Sequence, residues 1–193
     1  MKRARIGDVY YIKVPNGNKL YQWAYSIPRK GDFIRVFDGL YSSIPDNLLD
    51  IVAGSHSYII SFDTKRAYRV GLAQLLGNFP VPEEYPFPDF KLALHPGGSK
   101  RIGAINVQPT SSTGTAVSVG QWFRVSRIQD LPPQFQSITL LGGQLSPAWL
   151  LYLFDIGFTL YNLDCFFPGG PGESGNAKLQ QYSDIVNELL AKY

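Results

Sequence analysis

The chain is poor in the side chains that most often carry chemistry. It has 193 residues, with one cysteine, Cys165, and two histidines, His56 and His95. A single thiol forms no intramolecular disulfide, so nothing here calls for an oxidising compartment. Two histidines and one cysteine give no zinc-type spacing, and no metal or other cofactor is expected. Charged residues are only 17% of the chain. Hydrophobic residues are 45%, which excludes a disordered composition. The longest apolar stretch, Ala148 to Phe154, falls far short of the roughly 20 residues that span a bilayer, so no membrane segment is expected. The basic start Met1-Lys2-Arg3-Ala4-Arg5 runs into Ile6-Gly7-Asp8 and not into an apolar run. That pattern predicts no signal peptide and a cytoplasmic location.

Aromatics, by contrast, are plentiful at 14%, with twelve Tyr and twelve Phe. Such residues suit strands and contact surfaces alike. Formal net charge is +3, and the charge is uneven. Residues 1–30 hold seven basic residues against one acidic, whereas residues 155–193 hold two basic against five acidic.

Val9 to Val14 reads as a strand, Pro15-Asn16-Gly17-Asn18 as a turn, and Leu20 to Ile27 as the returning strand. Phe33 to Asp38 alternates with period two, as a half-buried strand does. Ile44 to Val52 predicts a short helix after Pro45. Tyr58 to Phe62 returns to strand, and Leu72 to Leu76 suggests one helical turn. Residues 79–90 hold four prolines and read as an extended connector packed on the surface. The second half repeats the order. Arg101-Ile102-Gly103 echoes Arg5-Ile6-Gly7, Gln121-Trp122 echoes Gln22-Trp23, Ser137 to Leu141 follows Phe33 to Asp38, Pro147 to Leu153 follows Pro45 to Ile51, and Phe158 to Asp164 loosely follows Tyr58 to Asp63. Residues 177–190 form the clearest helix, with an apolar stripe of Leu179, Tyr182, Ile185, Val186, Leu189 and Leu190. The expected fold is α+β and strand-rich: antiparallel sheets with short helices, two similar β-β-β-α-β halves at 1–90 and 91–193, and a C-terminal helix.

No catalytic constellation emerges. Each histidine sits among loop-forming residues. Cys165 lies between Asp164 and Phe166-Phe167, a setting that disfavours the thiolate. Gly170-Pro171-Gly172-Glu173-Ser174-Gly175 fits a nucleotide-loop pattern by letter, but Pro171 removes a donor and Glu173 repels phosphate, so a flexible loop is the better reading. Glu83 and Glu84, adjacent in an extended stretch, point apart and make no acid/base pair. An enzyme of another kind would need a polar pocket around His56 or His95. The basic, aromatic first thirty residues allow an alternative, a nucleic-acid-binding module, although on strands half of those aromatics must face a core.

Ile6-Gly7-Asp8-Val9-Tyr10-Tyr11-Ile12, followed by Asn16-Gly17-Asn18-Lys19-Leu20-Tyr21, resembles the opening of the immunity protein 26 family of bacterial polymorphic toxin systems. The resemblance continues through Ile34 to Asp38, the Pro45 to Ile51 helix, Tyr58 to Phe62 and Gly77-Asn78-Phe79-Pro80, and covers roughly the first 90 residues. It implies a cytoplasmic, non-catalytic inhibitor of a cognate protein toxin. Exposed aromatic and basic residues near the first hairpin would make the contact, because Tyr, Trp and Arg dominate interface energetics. Tyr11, Trp23, Tyr25 and Arg35 are the candidate partner-binding residues.

Overall fold

A computed structural model describes residues 3–93, 105–110, 121–123, 128–160 and 172–192. The strands are β1 (Asp8–Val14), β2 (Gly17–Ile27), β3 (Gly31–Val36), β4 (Tyr58–Ser61), β5 (Gln74–Asn78), β6 (Phe90–Ala93), β7 (Ile105–Pro109), β8 (Gln121–Phe123) and β9 (Leu140–Gln144). The helices are α1 (Leu48–Ala53), α2 (Thr64–Arg69), α3 (Pro147–Asp155) and α4 (Gly172–Leu190). The fold is α+β, with short helices and a C-terminal helix.

The strands form one sheet in the order β5-β1-β2-β3-β4-β9-β6-β7-β8. The sheet is mixed and not purely antiparallel, because β9 runs parallel to both β4 and β6. The boundary expected at residue 90 is not a break in the sheet, since β4 of the first half pairs with β9 of the second. Nor is the strand order of the first half repeated. There β3 lies beside β2, but β9, the counterpart of β3, is separated from β8 by two strands. The echo of Arg5-Ile6-Gly7 at 101–103 lies outside the described residues, as do His95, Cys165 and part of the echo of Tyr58 to Asp63.

Both faces of the sheet are covered. On one, Tyr10, Ile12, Tyr21, Ile34, Tyr58, Ile60 and Leu141 join Leu150, Leu153, Phe154, Tyr182 and Val186 of α3 and α4 in a single hydrophobic cluster. Ser146 caps α3 by accepting from the Trp149 N–H, with Pro147 in the first turn. Asp155, at its end, is buried and ties three elements together. Its carboxylate accepts from Asn16 Nδ2 at 2.8 Å and from Lys178 Nζ at 2.8 Å, and it lies beside Tyr182, whose hydroxyl pKa it raises along with burial.

The opposite face carries Val9, Leu20 and Phe37 under Val52 of α1, and Phe33, Ile59 and Leu140 further along. The proline-rich connector crosses this face as a strap from β5 to β6. The Phe79 N–H donates to Gly7 O at 2.9 Å, and Gln22 Nε2 donates to Phe79 O at 2.9 Å. Phe87 packs edge-on against Tyr25 and Phe33, with centroids 5.3 and 4.9 Å apart. The four prolines leave few backbone donors, which suits a segment lying across strands and not pairing with them.

Several local expectations change. Leu72 to Leu76 is not a helical turn. Leu75 packs toward the helix side and Leu76 toward the strap side, the alternation of a strand, and they lie in β5. The helix comes earlier, at α2, where Asp63 accepts the Arg66 N–H at 3.0 Å. The helix after Pro45 starts at Leu48. Of the loop expected at Gly170 to Gly175, Gly170 and Pro171 lie outside the described residues, and Gly172 to Gly175 form the first turn of α4.

Candidate functional site

Arg35 on β3 is fully buried, with 0% exposure. Its guanidinium donates from Nη1 to Gln22 Oε1 at 3.1 Å and to Val52 O at 3.5 Å. Nη2 donates to Gly54 O at 3.0 Å, and Nε to His56 Nδ1 at 3.3 Å. The strap closes over it, with the Tyr85 ring centroid 4.5 Å from the guanidinium carbon. Burial lowers the Arg35 pKa, while Tyr25, Tyr85 and Glu84 act the other way. An arginine stays charged under such a shift. Carbonyls and a π face therefore solvate this cation, because no carboxylate is ion-paired to it among the described residues.

His56 is fixed by the same network. Burial pushes its imidazole down to about 4, and the Arg35 charge adds to the effect while Asp38 opposes it. The ring is neutral near neutral pH. Its Nδ1 lone pair accepts from Arg35, so Nε2 carries the hydrogen and donates to Thr139 Oγ1 at 3.3 Å. Thr139 immediately precedes β9, and its carbonyl accepts the Ile59 N–H at 2.8 Å. The network thus spans the joint between β4 and β9. Its two ring nitrogens engaged, His56 is held as a structural element.

Beside this network lies an open cleft of about 580 Å³. Its walls include His56, Tyr85, Phe87, Phe90, Gln134 and Thr139. The volume falls within the range of roughly 300–1,000 Å³ typical of ligand pockets. The strap supplies the aromatic wall, with Tyr85 and Phe87 alternating with Pro86 and Pro88.

Tyr25 and Arg35 meet at the strap. The Tyr25 hydroxyl donates to Tyr85 O at 2.6 Å, and burial raises its pKa. Tyr11 is on the same face but nearer the sheet edge, with its hydroxyl bonded to Gln74 Oε1 at 2.5 Å. Trp23 is on the other face, 3% exposed, with Lys65 lying 4.7 Å from its ring centroid. The expected exposure is therefore met at neither Trp23 nor Arg35, and Tyr11 and Tyr25 are half-buried. A bulge explains the split. Trp23 pairs with Ile34 and Tyr25 with Phe33, so the extra residue, Ala24, sends Tyr25 to the opposite face.

Sequence reasoning missed Tyr85, Thr139 and Lys65. For Tyr85 a signal existed: aromatics at i and i+2 between prolines share one side of an extended segment. Thr139 had none, because its position depends on β9 joining β4.

Among the described residues no three His, Cys, Asp or Glu side chains gather in a metal-binding group. No described helix is long and apolar enough to cross a membrane. The molecule is thus an α+β protein whose single sheet is strapped on one face and covered by helices on the other. Comparison with protein-family models, curated proteins and solved structures returns no match.

Proposed function

We propose that this protein is an immunity protein that binds and neutralises a cognate bacterial toxin domain by non-catalytic contact, with the strap cleft as its contact surface. The observation that carries the reading is the cleft itself. It is concave, walled by aromatic and proline side chains, and held in shape by the Arg35–His56–Thr139 network. The histidine beside it is held neutral with both ring nitrogens bonded, which suits a rigid surface better than proton transfer. The resemblance of the first 90 residues to immunity protein 26 supplies the toxin as partner. Its Gly-Asp-aromatic opening, Pro-x-x-Leu helix and Gly-x-x-Pro segment lie here on β1, on α1 and at the start of the strap.

The test is co-expression with toxin domains encoded beside this gene, read as cell survival and as co-purification. One of them should be neutralised, and Phe90→Ala, at an exposed rim position of the cleft, should weaken the complex while leaving the circular dichroism unchanged. Failure to bind or protect against any of them overturns the reading. The alternative, a nucleic-acid-binding module, requires open aromatic faces. Trp23 lies beneath Lys65, and Tyr25 lies against Phe87. Binding to single-stranded RNA that falls steeply with salt would restore it.

A further inference from the structure

Trp23 forms the floor of a second concavity, on the face of the sheet away from the strap. We propose that this niche docks an acidic segment of a partner protein, one that presents carboxylates next to an apolar side chain. The niche has a volume of about 550 Å³ and is lined by Arg3, Arg5, Ile6, Trp23, Ser26 and Lys65, together with the small Ala4. Three of these side chains are cations, and no carboxylate is among the lining residues.

The nearest acids stand behind the cations and hold them in place. Asp8 accepts the Arg5 N–H at 2.9 Å and lies 3.8 Å from Arg5 Nε. Its side chain is almost fully buried and also accepts from Tyr10 and Asn78. Asp32 pairs with Lys65 at 3.1 Å and accepts from Ser26 at 2.7 Å, while Lys65 rests against the Trp23 ring. Two of the three cations are therefore positioned before any partner arrives, which reduces the side-chain ordering that binding costs. Arg3 has no ion pair among the described residues. Ile6, 49% exposed, adds an apolar contact at the same place. The three cations of the niche outnumber Asp8 and Asp32, the two acids paired with them, so the hollow keeps a net positive charge that steers acidic partners toward it.

A nucleic acid fits less well. Sequence-independent strand binding uses a cationic groove that follows the backbone and aromatic faces that stack on bases. Here three cations converge on one hollow, and its single aromatic ring is buried beneath an ammonium. The proposal does not depend on the strap cleft or on the toxin reading.

The test uses the full-length protein and three labelled probes in low-salt buffer: an oligoglutamate peptide with one central leucine, its glutamine analogue, and an oligothymidylate of equal charge. Fluorescence anisotropy should show binding of the oligoglutamate, lost at high salt, and none of the glutamine peptide. The Trp23 indole N–H resonance should shift during the titration. Arg3→Glu, at an exposed position, and Lys65→Gln should each weaken binding about fivefold, and Lys65→Arg should restore it. No binding of the oligoglutamate, binding indifferent to both substitutions, or an unmoved Trp23 resonance overturns the proposal. Tighter binding of the oligothymidylate through the same residues replaces it with a nucleic-acid site.

Discussion

Arg35 donates its Nε–H to Nδ1 of His56, and this contact decides which ring nitrogen of the histidine carries hydrogen. A protonated His56 would set a second N–H against that donor, beside a buried positive charge. Burial is the larger reason that the imidazole falls from 6.5 to about 4, and the Arg35 charge adds to it. Because the folded-state value is lowered, the unfolded chain takes up a proton first as the pH drops. Stability from this group is full above pH 6.5, is lost progressively down to about pH 4, and levels off below that. The expected loss is on the order of 2 kcal/mol once partial solvent exposure is allowed for. Urea unfolding midpoints across this window should show it in the native chain and lack it in His56→Gln.

Arg35 should tolerate no replacement. Arg35→Ala leaves Gln22 Oε1, Val52 O and Gly54 O without a donor under the strap. The cost should reach about 3 kcal/mol or more, a large part of a typical domain's stability. Lysine keeps the charge but loses the planar fork, so Arg35→Lys should recover less than half of the loss. Thermal melting of the two variants checks this.

Gly7 should be equally intolerant, for a reason of space. Its φ is +90°, and a Cβ there would lie 2.6 Å from Phe79 O, where the strap begins. Gly7→Ala should cost on the order of 3 kcal/mol, by strain and by displacing the strap. Gly71 isolates the backbone share, because its φ is +76° and nothing lies within 4 Å of its Cβ position. Gly71→Ala should cost only about 1 kcal/mol. Equal costs in denaturant titrations would contradict the packing argument.

Asp155 should govern the docking of α4. Asp155→Ala removes the carboxylate that accepts from Asn16 and Lys178 and lies beside Tyr182. Asn16 Nδ2 keeps its bond to the backbone carbonyl of residue 155, but Lys178 loses its acceptor and the buried Tyr182 loses the carboxylate beside it, which should cost about 1–2 kcal/mol. Amide hydrogen exchange should rise first in residues 178–190, ahead of the sheet. If α4 exchanges no faster than β2 in that variant, the clasp is not what holds it.

The first hairpin is legible because period-two alternation and Asn16-Gly17 point the same way. Val14 pairs with Gly17, so the two loop residues are Pro15 and Asn16, one position earlier than an Asn16-Gly17 turn would place them. The C-terminal helix is legible from its stripe, of which Tyr182 and Val186 are buried and Ile185 stays 40% exposed. The candidate site is not legible, for two physical reasons. Alternation in Phe33-Ile34-Arg35-Val36 suggests a polar outer face, but both faces of this sheet are covered, so Arg35 points into a second interior. Residue counting also puts Trp23 and Tyr25 on one side, and the bulge at Ala24 separates them. What a strand buries depends on what later crosses it, and residues 8–36 alone do not say that a strap will.

Pairing of β4 with β9, and the packing of α3 and α4 on the sheet, fix the order in which this chain can be completed. On the ribosome the first four strands emerge long before the segments that flank and roof them. Until Leu140 onward has been synthesised, β4 offers a bare hydrogen-bonding edge, and only α2 and the residues after it cover the face that α3 and α4 later roof. The nascent protein therefore passes through a stage in which it is half a sheet without its full cover, and chaperone demand should peak there.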